Sequence, residues 1–306
     1  MLSEYWRDAV ALDGSITTRI WPRVVGHGVI SAVVWIAAWV AEARFGLSVG
    51  LEISPHEMVG VALGLLLVLR MNSGYDRWWE ARKLWGGVVN QSRNLASGAL
   101  AYGPADPDWR RRFVRWTAVF PHVLRCSLRG EPPCAEVEGL IGPEGRARVQ
   151  AAQHMPLHVA LTLAELLREA RDLHGMDSFA FVQLDRERAQ LVDHLGACER
   201  ILKTPLPEVS TMKIRRFIAL FLVTLPFALL PRLKADWMIP FVTMMVAYPL
   251  LAVDQTGVEL ENPFSTENLS HLPLKTICAT IEGNLMALLD ADGVSTAPSA
   301  PVSGSA

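Results

Sequence analysis

Apolar residues gather into four continuous runs, and between the second and third of them the pattern turns periodic. "VVGHGVISAVVWIAAWVAEA", Val24 to Ala43, is long enough as an α-helix to cross the ~30 Å hydrocarbon layer of a bilayer, and Arg19 and Arg23 precede it. "MVGVALGLLLVL", Met58 to Leu69, holds only about twelve residues against the roughly twenty of a lipid-exposed crossing, so it needs neighbours to cover it. "FIALFLVTLPFALL", Phe217 to Leu230, and "WMIPFVTMMVAYPLLAV", Trp237 to Val253, form a second pair separated by the turn "PRLKAD". Each contains a proline, tolerable in a membrane helix where neighbouring helices satisfy the freed carbonyl.

Between the two pairs, "RRRFVRWTAVFPHVLRCSL", "PLHVALTLAELLREARDLH" and "FAFVQLDRERAQLVDHLGACERILK" repeat apolar residues near a 3.6 period, with turns such as "GPADPD" and "GEPPC" between them. No stretch alternates convincingly enough to predict a strand. Lys and Arg near span ends favour the cytoplasm. Arg19 and Arg23 precede the first span, Arg70, Arg77, Arg82 and Lys83 follow the second, and Lys213, Arg215 and Arg216 precede the third. Both termini are therefore placed inside. The pattern predicts an all-α integral membrane protein with four transmembrane helices and a large cytosolic helical region. Its segments are residues 1–70 with the first pair, 71–212 cytosolic, 213–254 with the second pair, 255–291 cytosolic again, and a disordered, Pro-rich tail over 292–306.

Composition agrees with this picture and narrows the chemistry. Over 306 residues the hydrophobic fraction is 51% and the mean hydropathy +0.23, above the usual soluble level. A net charge of -2 with no polycationic run argues against nucleic acid as a partner. The N-terminus lacks the pattern of a cleaved signal peptide, so insertion is expected to use internal segments. Cys126, Cys134, Cys198 and Cys278 are widely spaced without a Cys-x-x-Cys pair, and they read as ordinary thiols with neither a zinc site nor a disulfide framework.

The short second span carries two features. Gly60 and Gly64 sit four apart, a small-xxx-small pattern that allows close helix approach. Val61, Leu65 and Leu69 recur every four residues on one face. Turned toward a symmetry axis, that face becomes a stack of apolar rings able to gate a water path by dewetting; otherwise it packs against helices or lipid. Beyond Leu69 nothing stops the helix. "YDRWWEARKLW" has no proline, so Arg70 and Arg77 are expected to snorkel while Trp78, Trp79 and Trp85 sit at an interfacial belt or pack between helices.

These same residues carry a resemblance. "RMNSGYDRWWEARKLWG" resembles the Arg-x-Asn-x-x-Tyr-Asp-Arg-Trp-Trp-Glu-x-Arg-x-Leu-Trp-Gly stretch of the bacterial bestrophin homologues. "GACERILKTPLP", "ELENPF" and "LPLKTICATIEGNL" extend the match from about Tyr5 to Leu289. The resemblance implies a homopentameric ion channel in the cell inner membrane. Its apolar neck would fall on Val61, Leu65 and Leu69, the face already singled out by spacing, and its cytosolic constriction on Phe179, with Phe181 as a near neighbour. Neck positions that are often Ile or Phe in relatives are Val and Leu here. After Asn-Pro-Phe, the acidic run that binds Ca²⁺ in animal members is replaced by "STENLSH", which makes calcium activation doubtful.

The resulting expectation is passive conduction of monovalent ions. Bacterial relatives favour Na⁺ or K⁺, and the alternative, from animal relatives, is Cl⁻. A non-conducting scaffold and a membrane-bound enzyme are the remaining readings. For an enzyme the candidates are weak. His154 and His158 flank Pro156 without a third metal ligand, and Asp254, Glu259 and Glu261 have no His, Ser or metal motif beside them, so helix capping or inter-subunit ion pairs suit them better. No catalytic residue, cofactor or metal is expected.

Overall fold

The computed structural model describes residues 14–293 together with Trp6 and Ala11. From residue 294 on, the expected disordered tail lies outside the described residues. Among those described, every regular element is a helix. They are α1 (Thr17–Phe45), α2 (Ile53–Tyr102), α3 (Pro107–Arg129), α4 (Ala135–Ala151), α5 (Met155–His174), α6 (Ser178–Lys203), α7 (Glu208–Leu229), α8 (Ile239–Glu261) and α9 (Leu274–Ala291), with one 3₁₀ turn, Asp236–Met238, before α8.

The chain divides into two units, one comprising the residues up to Trp79 with Pro205–His271, the other Glu80–Thr204 with the residues from Leu272 on. In the first unit α1 packs along α8, and α7 packs on both. Ile20 and Val24 of α1, Leu63 and Leu67 of α2, Ile218 and Leu222 of α7 and Ile239 and Ala247 of α8 share one core. A buried Ser31–Thr243 hydroxyl pair at 2.9 Å satisfies the two polar groups inside it. The outer faces stay apolar, with Val29, Val33, Ile36, Phe241 and Met245 exposed, as a hydrocarbon solvent rather than water requires.

Among the described residues, three helical stretches are long and apolar enough to cross a membrane: Thr17–Phe45, Ile53–Tyr102 and Asp236–Glu261. The remaining expected span lies in α7, where Lys213, Arg215 and Arg216 occupy the first half and leave a shorter apolar part. Helix α2 runs on past Leu69 as the absence of proline there predicts: the twelve-residue apolar run is one section of an unbroken 50-residue helix.

The second unit is built around α3, whose Trp109, Phe113, Phe120 and Leu124 are fully buried, and which α4, α5, α6 and α9 pack against. Its ends are chemically specified. Asp106 caps the start by accepting from Asp108 N at 2.9 Å, and Pro107 occupies the first turn, where no N–H is needed. Gly130 ends the helix at φ 67, a left-handed conformation that only glycine adopts cheaply. Trp109 donates from Nε1 to the Leu166 carbonyl at 2.8 Å, so its one polar atom is satisfied within the core.

Candidate ion pathway

Val61, Leu65 and Leu69 are 77%, 62% and 55% exposed, whereas Leu63 and Leu67 on the other side of α2 are 2% and 3% exposed. The membrane section of α2 therefore buries one narrow apolar stripe in its own unit and leaves the rest of its apolar surface uncovered, Met58, Val59 and Val68 included. Gly60 meets the Phe221 ring, 3.4 Å from where a Cβ would stand, while Gly64 has open space at that position. A tight approach of α2 to the α8 backbone lies further on. A Cβ on Gly74 would sit 3.1 Å from the Gly257 carbonyl oxygen and 3.2 Å from Leu260 Cβ, a contact that the Gly60/Gly64 spacing does not reveal.

Two turns past Leu69 the same face presents Asp76, also exposed. The other side of this section of α2 meets α8 through charge. Arg70 is buried, its Nε 3.4 Å from Asp254 Oδ1 and its Nη2 3.4 Å from Glu261 Oε1. Arg215 Nε reaches Asp254 Oδ2 at 3.3 Å. Arg77 Nε donates to the Glu261 carbonyl at 3.1 Å, and Trp78 Nε1 to the Ser270 carbonyl at 2.7 Å. Arg19 pairs with buried Glu259, which also accepts from Gln255 Nε2 at 3.1 Å and Leu269 N at 2.6 Å.

The acidic cluster after the fourth span thus neutralises arginines within the protomer. Within the protomer, α2 and α8 bring Arg70 together with Asp254 and Glu261 in the fold. Past α8, Asn262 Oδ1 accepts from Phe264 N at 3.1 Å, and Asn268 Nδ2 donates to the Asn262 carbonyl at 2.9 Å, so the "ENPFSTEN" segment closes on itself.

In the second unit Phe179 stands at the start of α6, 86% exposed. Asp177 caps this helix, accepting from Phe179 N at 2.8 Å and Ala180 N at 3.1 Å, which fixes the backbone from which the ring projects. Phe181, the alternative position, is half-buried with the Arg171 guanidinium 4.9 Å above its ring. The two phenylalanines are thus distinguished: one is engaged by its neighbours and the other projects.

The paired histidines have structural partners. His154 caps α5 by accepting from Leu157 N at 3.3 Å, and its Nε2 is 2.8 Å from Glu199 Oε1; His158 meets the Trp116 ring edge-on. Elsewhere in this unit, burial pushes the Cys198 thiol up to about 12 and lowers the His194 imidazole below its ordinary value.

An all-helical chain with several membrane-crossing helices, one of them presenting an uncovered apolar face that continues into an Arg/Trp segment, is a multi-pass membrane protein. A family model described as "Bacterial/Fungal Bestrophin protein" matches residues 2–287, and the chain belongs to that family: it is a bestrophin ion channel and not an enzyme. A relative from Escherichia coli (strain K12), named a voltage-dependent anion channel-forming protein, is 32% identical over 289 residues, covering 94% of this chain and 92% of that one. A protein of the same name from Nostoc sp. is 30% identical over 285 residues, covering 92% and 90% of the two chains. Among solved structures, a mutant form of a bacterial bestrophin homologue from Klebsiella pneumoniae superposes with a TM-score of 0.80 at 30% identity, covering 89% of this chain and 99% of that one.

Proposed function

We propose that five copies of the chain surround one axis in the inner membrane, and that monovalent ions cross passively between rings of Val61, Leu65 and Leu69. In this reading residues 71–212 and 255–291 are cytosolic, both termini face the cytoplasm, and Phe179 forms a second apolar ring there. The observation that carries the proposal is the uncovered face of α2. Three large apolar side chains at four-residue spacing, Val61, Leu65 and Leu69, stay exposed along a helix that buries only the stripe of Leu63 and Leu67 and also leaves Met58, Val59 and Val68 exposed. In a ring of copies such a face meets itself and narrows a water path, where apolar walls gate by dewetting.

Neither constriction carries a charged ring, so discrimination rests on dehydration, width and fields from nearby charges. The names of the relatives favour anions, and chloride is the first reading, ahead of the cation preference expected from the bacterial resemblance. A cation preference stays as the second reading because Asp76 continues the Val61–Leu69 face, and a ring of such carboxylates would gather cations.

The test is the reversal potential of the purified protein in a planar bilayer with unequal NaCl on the two sides. A value near the Cl⁻ equilibrium potential supports the anion reading, and one near the Na⁺ value establishes the second. If the acidic ring sets a cation preference, Asp76→Asn shifts that potential toward Cl⁻. The pore itself is tested by the combined Val61→Ala, Leu65→Ala and Leu69→Ala variant, expected to raise conductance severalfold by widening the neck and easing its wetting. Unchanged conductance from an intact pentamer would remove this face from the pore.

A further inference from the structure

Away from the proposed pathway, the second unit gathers unlike metal-ligating side chains at one place. His122 lies on α3, Cys134 immediately precedes α4 at its N-cap position, and Glu136 sits in the first turn of α4. A ring nitrogen of His122, the Cys134 sulfur and a Glu136 carboxylate oxygen all lie within 4.8 Å of one another. The spacing of these residues matches no zinc motif. They meet because Gly130 turns the chain at the end of α3 and the short "GEPPC" link folds the start of α4 back on that helix.

The state of the histidine is the second observation. His122 is 1% exposed, and its Nε2 is 2.8 Å from Glu282 Oε2 on α9. That contact assigns the ring proton to Nε2. Nδ1 is buried without a hydrogen-bond partner, a costly state for a polar atom that a bound ion would relieve. A carboxylate on one imidazole nitrogen, holding the ring so that the other nitrogen faces a cation, is the usual outer-shell arrangement of metal-bound histidines.

We propose that His122, Cys134 and Glu136 form a binding site for a borderline-soft divalent transition metal of the zinc class, with Glu282 as the positioning residue for His122. The mixed nitrogen, sulfur and oxygen donors suit zinc, whereas Mg²⁺ and Ca²⁺ take oxygen ligands. Arg125 is the cation that faces the cluster now, its Nη2 3.8 Å from Glu136 Oε1, and a bound ion would share that carboxylate with it. Filling the site ties the end of α3 to the start of α4.

Cobalt is the probe for the test. Untagged full-length protein, purified in detergent under a phosphine reductant and stripped with a chelator, is titrated with CoCl₂ and then with ZnCl₂. Wild type is expected to develop a near-ultraviolet thiolate-to-cobalt charge-transfer band that saturates at one ion per protomer and is bleached by Zn²⁺. Cys134→Ser abolishes the band, and Cys198→Ser, a buried thiol elsewhere in the unit, keeps it. Glu282→Gln retains the band but weakens binding by about 10–100-fold, the range for loss of an outer-shell partner. No band in folded wild type, or an equal band in Cys134→Ser, overturns the site. Unchanged affinity in Glu282→Gln overturns the positioning role.

Discussion

At the scale of single residues, the proposed neck and constriction side chains differ in how far local sequence reveals them. Val61, Leu65 and Leu69 are visible from spacing because a helical face repeats every three to four residues, and the structure leaves that face uncovered. Phe179 is not visible in that way. "MDSFAFVQLD" offers two phenylalanines, and only the Asp177 cap and the Arg171 contact on Phe181 separate them. Since Phe179 is exposed in the protomer, Phe179→Ala is expected to change thermal stability by no more than about 0.5 kcal/mol; it should nevertheless alter single-channel current. Arg70 is the opposite case. Its side chain and that of Asp254 are both buried, at ion-pair rather than hydrogen-bond geometry. Removing one partner of a buried pair costs about 3–5 kcal/mol, so Asp254→Ala should lower the melting temperature of the detergent-solubilised protein sharply. An Arg70→Met/Asp254→Leu double variant, which leaves no unpaired partner of that contact, should recover part of the loss.

At the scale of elements, helix type is strongly encoded, and helix extent is legible from helix-forming residues but not from hydropathy. The sequence contains the helix-forming pattern of α2 throughout, yet hydropathy divides it at Leu69 because composition changes there while backbone propensity does not. Hydropathy likewise divides α7, where three basic residues precede the apolar part of a continuous helix. Long-range packing leaves even less trace. The Gly74–Gly257 approach joins residues far apart in sequence, and only the fold shows that Gly74 must be small. Gly74→Val forces its side chain against the Gly257 carbonyl and Leu260; overpacking of this kind costs about 1–3 kcal/mol and should appear as a lower melting temperature. The same substitution at Gly64, where a Cβ meets open space in the protomer, should spare the protomer fold.

At the scale of the whole molecule, the all-α membrane class follows from apolar runs and 3.6 periodicity, and the family from motif blocks spread along most of the chain. Assembly does not follow from periodicity, since a face that lines a pore and one that meets lipid obey the same pattern. Cross-linking of the purified protein should therefore yield a ladder ending at five subunits, and a ladder ending at two would contradict the proposed ring. The Arg70–Asp254 pairing has a further consequence for a protein that separates two salt solutions. Exposed charge pairs weaken as ionic strength rises, whereas buried pairs are screened much less. Because the Arg70–Asp254 contact is buried between α2 and α8, this link is expected to be largely indifferent to the salinity on either side. A gradient can then collapse through the channel without loosening the join between these two helices.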